Sequence, residues 1–256
     1  MNDNCGLSIG RIVMNDHEMV FNNAKSNYKN STPWPKEDIW HAYTHNIINN
    51  YVQNILNSLD LSSDQIILNA GCGFTTYDTV GTVLYMDIVD EYVSKFENGI
   101  VASIENIPLN DTSINVIICV GSVINYADIQ KAISEFSRIL VPGGYLILEY
   151  ERSNSAEFLF HKKYANTVFL KKYHYNDQIH SLFMYDEKFV RSLSVYYGFT
   201  LKTKYRFHII SSLLYRIGFS EDKVAKFSSL DKIMQPVSYP FAHNEILVYR
   251  KRSCKN

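Results

Sequence analysis

Ile66-Ile67-Leu68-Asn69-Ala70-Gly71-Cys72-Gly73-Phe74-Thr75 is the stretch on which the reading of this chain turns. A short apolar run enters two glycines one residue apart. Glycine permits the sharp left-handed turn that ends a buried strand, and it lets a ligand come close to the peptide planes. A Gly-x-Gly pair also occurs at ordinary strand-to-helix turns, so its neighbours decide its meaning.

Those neighbours repeat one pattern. Val83-Leu84-Tyr85-Met86 ends at Asp87, Val116-Ile117-Ile118-Cys119-Val120 ends at Gly121, and Tyr145-Leu146-Ile147-Leu148 ends at Glu149. Runs this short and this apolar suit strands buried on both faces of a parallel sheet. Between the last two runs lies an amphipathic helix with Ile129, Ala132, Ile133, Phe136, Ile139 and Leu140 on one face. Asp128 is its N-cap candidate, and Pro142-Gly143-Gly144 stops it. Strand, helix, strand in repetition means an α/β, doubly wound, mostly parallel sheet of the Rossmann-like kind. In such sheets ligands bind beyond the carboxyl ends of the strands. Asp87, fourteen residues after Gly73, stands at such an end, where a carboxylate accepts hydrogen bonds from both hydroxyls of a ribose. Asp90 and Glu91 compete for that role.

Outward from this centre the chain is less regular. Residues 1–33 are polar and Asn-rich, and Pro33-Trp34-Pro35 precedes a helix carrying Trp40, Tyr43, Ile47, Tyr51 and Ile55 on one face. Residues 151–185 show no clean sheet pattern. A helix from about Asp186 to Tyr197 ends at Gly198, and Leu201–Ile210 and Glu245–Tyr249 read as strands able to form an antiparallel edge. The expected organisation is an N-terminal helical cap over residues 1–58 and a core over 59–256, with an acceptor-side insertion at about 151–185.

Composition sets outer bounds. The chain has 256 residues, 46% hydrophobic and 20% charged, which allows one large folded domain with a sizeable core. A net charge of −1 gives no electrostatic reason to expect nucleic acid or a membrane surface as partner. Cys5, Cys72, Cys119 and Cys254 form no C-x-x-C pair, so no metal site is expected. Free cysteines and the lack of a secretory-type apolar stretch in the opening residues make the cytoplasm the expected location.

With these residues in hand, the chain resembles the class I S-adenosylmethionine-dependent methyltransferases. Asn69 to Thr75 is similar to that family's first motif, an acidic residue followed by G-x-G-x-G, and Asp87 matches its ribose-binding acid. Ser103-Ile104-Glu105-Asn106-Ile107-Pro108-Leu109 is similar to the adenine-side motif. Asn115 to Ser122 is similar to the fourth strand, and Arg138 to Leu146 to the helix, turn and fifth strand. The likeness runs in register over roughly residues 60–150. The departures are Asn69 for the acid, Thr75 for the third glycine, Ser103 for the adenine-side acid and Asn115 for Asp. The rival nicotinamide fingerprint, G-x-G-x-x-G, requires glycine where Thr76 stands.

The resemblance implies S-adenosylmethionine as cofactor, with Tyr28, Asn69, Ala70, Gly71, Gly73, Asp87, Ile88, Ser103, Ile104 and Val120 around it. It implies methyl transfer to a small molecule or peptide, with O-methylation, including that of a carboxylate, as the first expectation. N-methylation of a metabolite or base, and a non-catalytic cofactor-binding module, are the alternatives. Tyr28 lies in a segment similar to the Tyr-bearing stretch before the core of small-molecule methyltransferases, and it is a catalytic candidate as well as a packed cap residue. His41 is the candidate base or orienting group; it shares a helix face with His45. Between Glu157 and Asp177 lie His161, Lys162, Lys163, Lys171, Lys172 and His174 among aromatics. They form either a solvated basic face or contacts to an anionic acceptor.

Overall fold

The structure, a computed structural model, describes residues 5–29, 39–175, 178–208 and 239–253, together with Leu214 and Phe219. Helices α1 (Cys5–Lys29) and α2 (Ile39–Ser58) precede strands β1 (Ile66–Ala70) and β2 (Thr82–Asp87), the short helix α3 (Asp90–Val93) and strand β3 (Gly99–Val101). Strand β4 (Ile114–Cys119), helix α4 (Ile129–Ile139) and strand β5 (Leu140–Glu151) follow. Then come β6 (Val168–Tyr175), β7 (Gln178–Tyr185), α5 (Glu187–Tyr196), β8 (Phe199–Phe207) and β9 (Asn244–Lys251).

Seven strands form one sheet in the order β3-β2-β1-β4-β5-β9-β8. The pairs from β3 through β5 are parallel, and β9 runs antiparallel to both of its neighbours. The antiparallel strand is thus the last in sequence, inserted between β5 and the edge strand β8. Period-two alternation along β4 sorts the two cores. Ile117 and Cys119 face α4 and α5, whose Ile133, Phe136 and Val190 close one layer. Val116 and Ile118 face α2, whose Ile48, Val52 and Leu56 close the other. Helix α2 therefore belongs to the sheet's helical layer, not to a cap standing apart from it.

Two helix starts follow from sequence alone. The Asp128 carboxylate accepts from the Gln130 and Lys131 amides, and Asp186 does the same for Lys188 and Phe189. Two segments depart from the sequence reading. Residues 151–185 hold the β6–β7 hairpin, a second sheet paired from Val168↔Tyr185 to Tyr175↔Gln178. The polar N-terminal stretch is helical over Cys5–Lys29. Both surfaces are recruited by tertiary contact, which overrides weak local periodicity. Strand β8 begins at Phe199, two residues earlier than expected, and Ile209 and Ile210 lie outside the described residues, as do Pro33, Trp34 and Pro35. No helix among the described residues is long and apolar enough to cross a membrane.

Candidate active site

The strand tips β2, β1, β4 and β5 open into one cavity of about 230 Å³. At its β1–β2 end the backbone turns through Gly71 (φ +75°) and Gly73 (φ +51°). A Cβ on Gly71 would lie 2.4 Å from Val123 Cγ2, so glycine is demanded by space as well as by φ. The Gly71 and Cys72 amides donate to the Met86 carbonyl at 2.7 and 3.0 Å, which ties the turn to β2. Asp87 accepts from the Gly73 amide at 3.0 Å and from the Val89 amide at 3.1 Å. Burial pushes its carboxyl above the usual value, and those amide bonds pull the other way.

Most residues singled out in the sequence meet here. Asn69, Gly71, Gly73, Asp87 and Ile88 line the cavity from the first two strand tips, Ser103 and Ile104 from the loop after β3, and Val120 from the tip of β4. Ala70 does not: its side chain is wholly buried in the core because strand alternation points it at the helical layer. Asn69 spends its amide on the Thr75 carbonyl at 2.9 Å, so it braces the glycine loop.

Helix α1 closes the cavity from above. Asn27 Nδ2 donates to the Ile179 carbonyl at 3.0 Å, His17 Nε2 meets Glu105 Oε1 at 2.8 Å, and the Tyr92 hydroxyl donates to the Tyr28 carbonyl. The Tyr28 hydroxyl donates to that of Tyr126 at 3.1 Å, with the rings edge to face. Burial raises the Tyr28 phenol above its ordinary pKa, so it stays protonated at neutral pH.

Sequence reasoning missed Glu151, His180, His208 and His243. With His41 and His45, five of the eight histidines line the cavity. His180, on the hairpin, stacks on Tyr173 at 5.2 Å and meets Tyr28 edge-on. Burial, aided by the charge of His41, lowers its pKa, and burial lowers those of His45 and His208 too. His208 Nε2 lies 2.8 Å from Thr44 Oγ1. His243 bridges two carboxylates, with Nε2 3.0 Å from Glu151 and Nδ1 3.2 Å from Glu157. Burial alone would raise the Glu151 carboxyl, but the charges of His243 and Lys171 outweigh it and hold the group down at about 2.

The basic cluster lies elsewhere. His161, Lys162 and Lys163 are exposed, Lys172 is exposed beside Met19, and Lys171 pairs with Glu157 at 2.8 Å. Among the described residues no Lys or Arg lines the cavity, whose charged side chains besides histidine are Asp87 and Glu151. The described residues hold no group of three or more His, Cys, Asp or Glu arranged for a metal ion.

Residues 68–148 match the family model of the methyltransferase domain. Residues 68–148 thus carry the signature of a methyltransferase domain, set in the Rossmann-like sheet. The chain's fold is that of an inferred S-adenosylmethionine-dependent methyltransferase from Listeria monocytogenes, at 12% identity and TM-score 0.57 over 82% of this chain and 99% of that one. Geranyl diphosphate C-methyltransferase from Streptomyces coelicolor, solved with S-adenosyl-L-homocysteine, gives 11% identity and TM-score 0.57 over 91% and 98%. A Haloferax volcanii protein inferred to be a methyltransferase, solved with the Trm112 activator, gives 12% and 0.53 over 86% and 92%. A search of curated proteins finds no match.

Proposed function

We propose that the protein transfers the methyl group of S-adenosylmethionine to a hydroxyl or amine of a small molecule held beneath α1. The observation that carries this reading is the single cavity that joins the Gly71–Asp87 turn to the tips of β4 and β5. The residues at the first end fit the cofactor: Gly71 and Gly73 line the cavity on a left-handed turn, and the buried Asp87 carboxylate can accept from ribose hydroxyls. When bound, the cofactor supplies a methyl group on a sulfonium, which leaves by in-line displacement.

The chain supplies position and a dry cavity. Tyr28 and Tyr126 wall the site, and α1 covers it. An acceptor hydroxyl or amine that gains the methyl must shed a proton. A deprotonated imidazole accepts it best, and His180 is neutral at physiological pH and lies inside the cavity. His41 remains a candidate to orient the acceptor from the same wall. A carboxylate acceptor fits poorly, because no described lysine or arginine lines the cavity to receive it. In domain terms, residues 5–29 serve as the cap and 39–58 join the core.

Calorimetry with S-adenosylhomocysteine and with NAD tests the reading. Binding of the first and not the second is expected, and NAD binding alone overturns it. Isotopically labelled S-adenosylmethionine, incubated with the protein and a cell extract, should then yield one labelled small-molecule product by mass spectrometry.

A further inference from the structure

Sheet order separates the two charged ends of the cavity. Asp87 ends β2 and Glu151 ends β5, with β1 and β4 between them. Neighbouring strands lie about 4.8 Å apart, so the two carboxylates stand about 14 Å apart across the sheet. A cofactor whose ribose sits at Asp87 leaves the β5 end to the acceptor. Glu151 is the acceptor end's carboxylate, and it is ionised at any physiological pH. It lines the same cavity as Tyr28, Tyr126 and Tyr173, and its charge adds to the burial that raises the Tyr28 and Tyr126 phenols. Tyr173 completes this wall through its hydrogen bond to Tyr126. Aromatic side chains and a fixed carboxylate in one lining that holds no described lysine or arginine suit a cation.

We propose that the acceptor is a small amine, docked by its ammonium group against Glu151 within the walls of Tyr28, Tyr126 and Tyr173; the ammonium gives one proton to His180, and the freed nitrogen lone pair then takes the methyl group. His243 is a positioning residue in this arrangement. Held between Glu151 and Glu157, it fixes the Glu151 side chain. The buried ion pairs set the orientation of the carboxylate, while the open cavity side receives the ligand. This inference rests on the proposed methyltransferase reading and narrows its substrate class. It reverses the expectation of an anionic acceptor.

The test uses the full chain saturated with S-adenosylhomocysteine. Phenethylamine, tyramine and histamine are titrated beside the acetic acid and acetamide derivatives of the same rings. At least one amine should bind about tenfold more tightly than its matched acid, and added salt should erode that preference. Glu151→Gln should reduce the preference below about threefold and leave S-adenosylhomocysteine affinity unchanged. Should the Gln variant fail to fold, the wild-type ratio and its salt dependence still decide. Failure of every amine to bind, equal binding of the acids, or a Gln variant that keeps the preference overturns the inference. Failure to bind S-adenosylhomocysteine at the outset strikes the methyltransferase reading instead.

Discussion

The backbone amide of Gly73 donates to the Asp87 carboxylate at 3.0 Å, so the two strand tips that frame the nucleoside end are locked to each other before any ligand arrives. The same carboxylate holds the Val89 amide with its other oxygen. Asp87 therefore has a structural task beside its proposed binding one, and the two separate by substitution. Asp87→Asn keeps an acceptor oxygen for one amide and loses the charge that ribose hydroxyls would meet. Charge-assisted hydrogen bonds are worth about 1.5–3 kcal/mol. Asp87→Asn should weaken S-adenosylhomocysteine binding at least about tenfold by calorimetry while the far-ultraviolet dichroism stays native. Unchanged affinity would move the role to Asp90 or Glu91.

Gly71 meets two independent constraints, and a double-mutant cycle separates them. Its φ of +75° disfavours any L side chain, and its Cβ position is 2.4 Å from Val123 Cγ2. Gly71→Ala should destabilise the protein by about 1–3 kcal/mol. Val123→Ala should relieve the steric part, so the double variant costs less than the sum of the singles. Chemical denaturation of all four proteins reads the coupling, and strict additivity would contradict a steric role for Val123.

How much of this was legible in the sequence depends on which force writes each element. Strands β1, β2, β4 and β5 are written by apolar runs buried on both faces, and α4 and α5 by period and by their Asp128 and Asp186 caps. Those signals are local, so they can be read. The hairpin β6–β7 is different. Its residues Val168 to Tyr175 mix Lys and His with aromatics because one face packs on Phe158, Leu182 and Met184 and the other meets solvent. His180, His208 and His243 reach the cavity from three segments distant from the glycine motif, and no spacing rule links them. Glu151 lies two residues past Glu149, where the apolar run stops and the sequence signal with it. The strand itself runs on to Glu151, paired to Asn244 in β9.

Glu149 offers a test in pH. It is wholly buried, accepts from the Ser122 amide at 2.6 Å and from Asn244 at 2.7 Å, and burial raises its pKa to about 7. The unfolded value is near 4.5. Between those two values the folded state keeps a proton that the unfolded state has lost. Its contribution to stability is therefore complete below about 4.5 and is lost as pH rises through about 7. His45, His180 and His208, with lowered pKa values, act in the opposite sense below their unfolded value. The wild-type curve mixes both, so the informative quantity is the difference between Glu149→Gln and wild type. That difference should move in favour of the variant from pH 5 to pH 8, by a few kcal/mol at roughly 1.4 kcal/mol per pKa unit. A difference that stays flat over this range removes Glu149 as a titrating group.

The lysine-rich hairpin supplies the last contrast, because the sequence allowed it to be either an acceptor site or a solvated face. Lys162, Lys163 and Lys172 are exposed and absent from the cavity lining, and Lys172 reaches Met19 on α1. Isolated surface charges contribute between nothing and about 1 kcal/mol. Replacing these three by Gln should leave S-adenosylhomocysteine affinity and acceptor KM within about twofold of wild type. Lys171 belongs to a different circuit, since it pairs with Glu157, which in turn meets His243, the neighbour of Glu151. Lys171→Gln removes one of the charges that hold Glu151 ionised, and its carboxyl should titrate at higher pH as a result. The lysine effect on acceptor binding should therefore be confined to position 171 and should appear as weaker binding of amines at acid pH. A triple variant with a strongly raised KM, beside a Lys171→Gln variant that behaves as wild type, would return the acceptor to the exposed basic face.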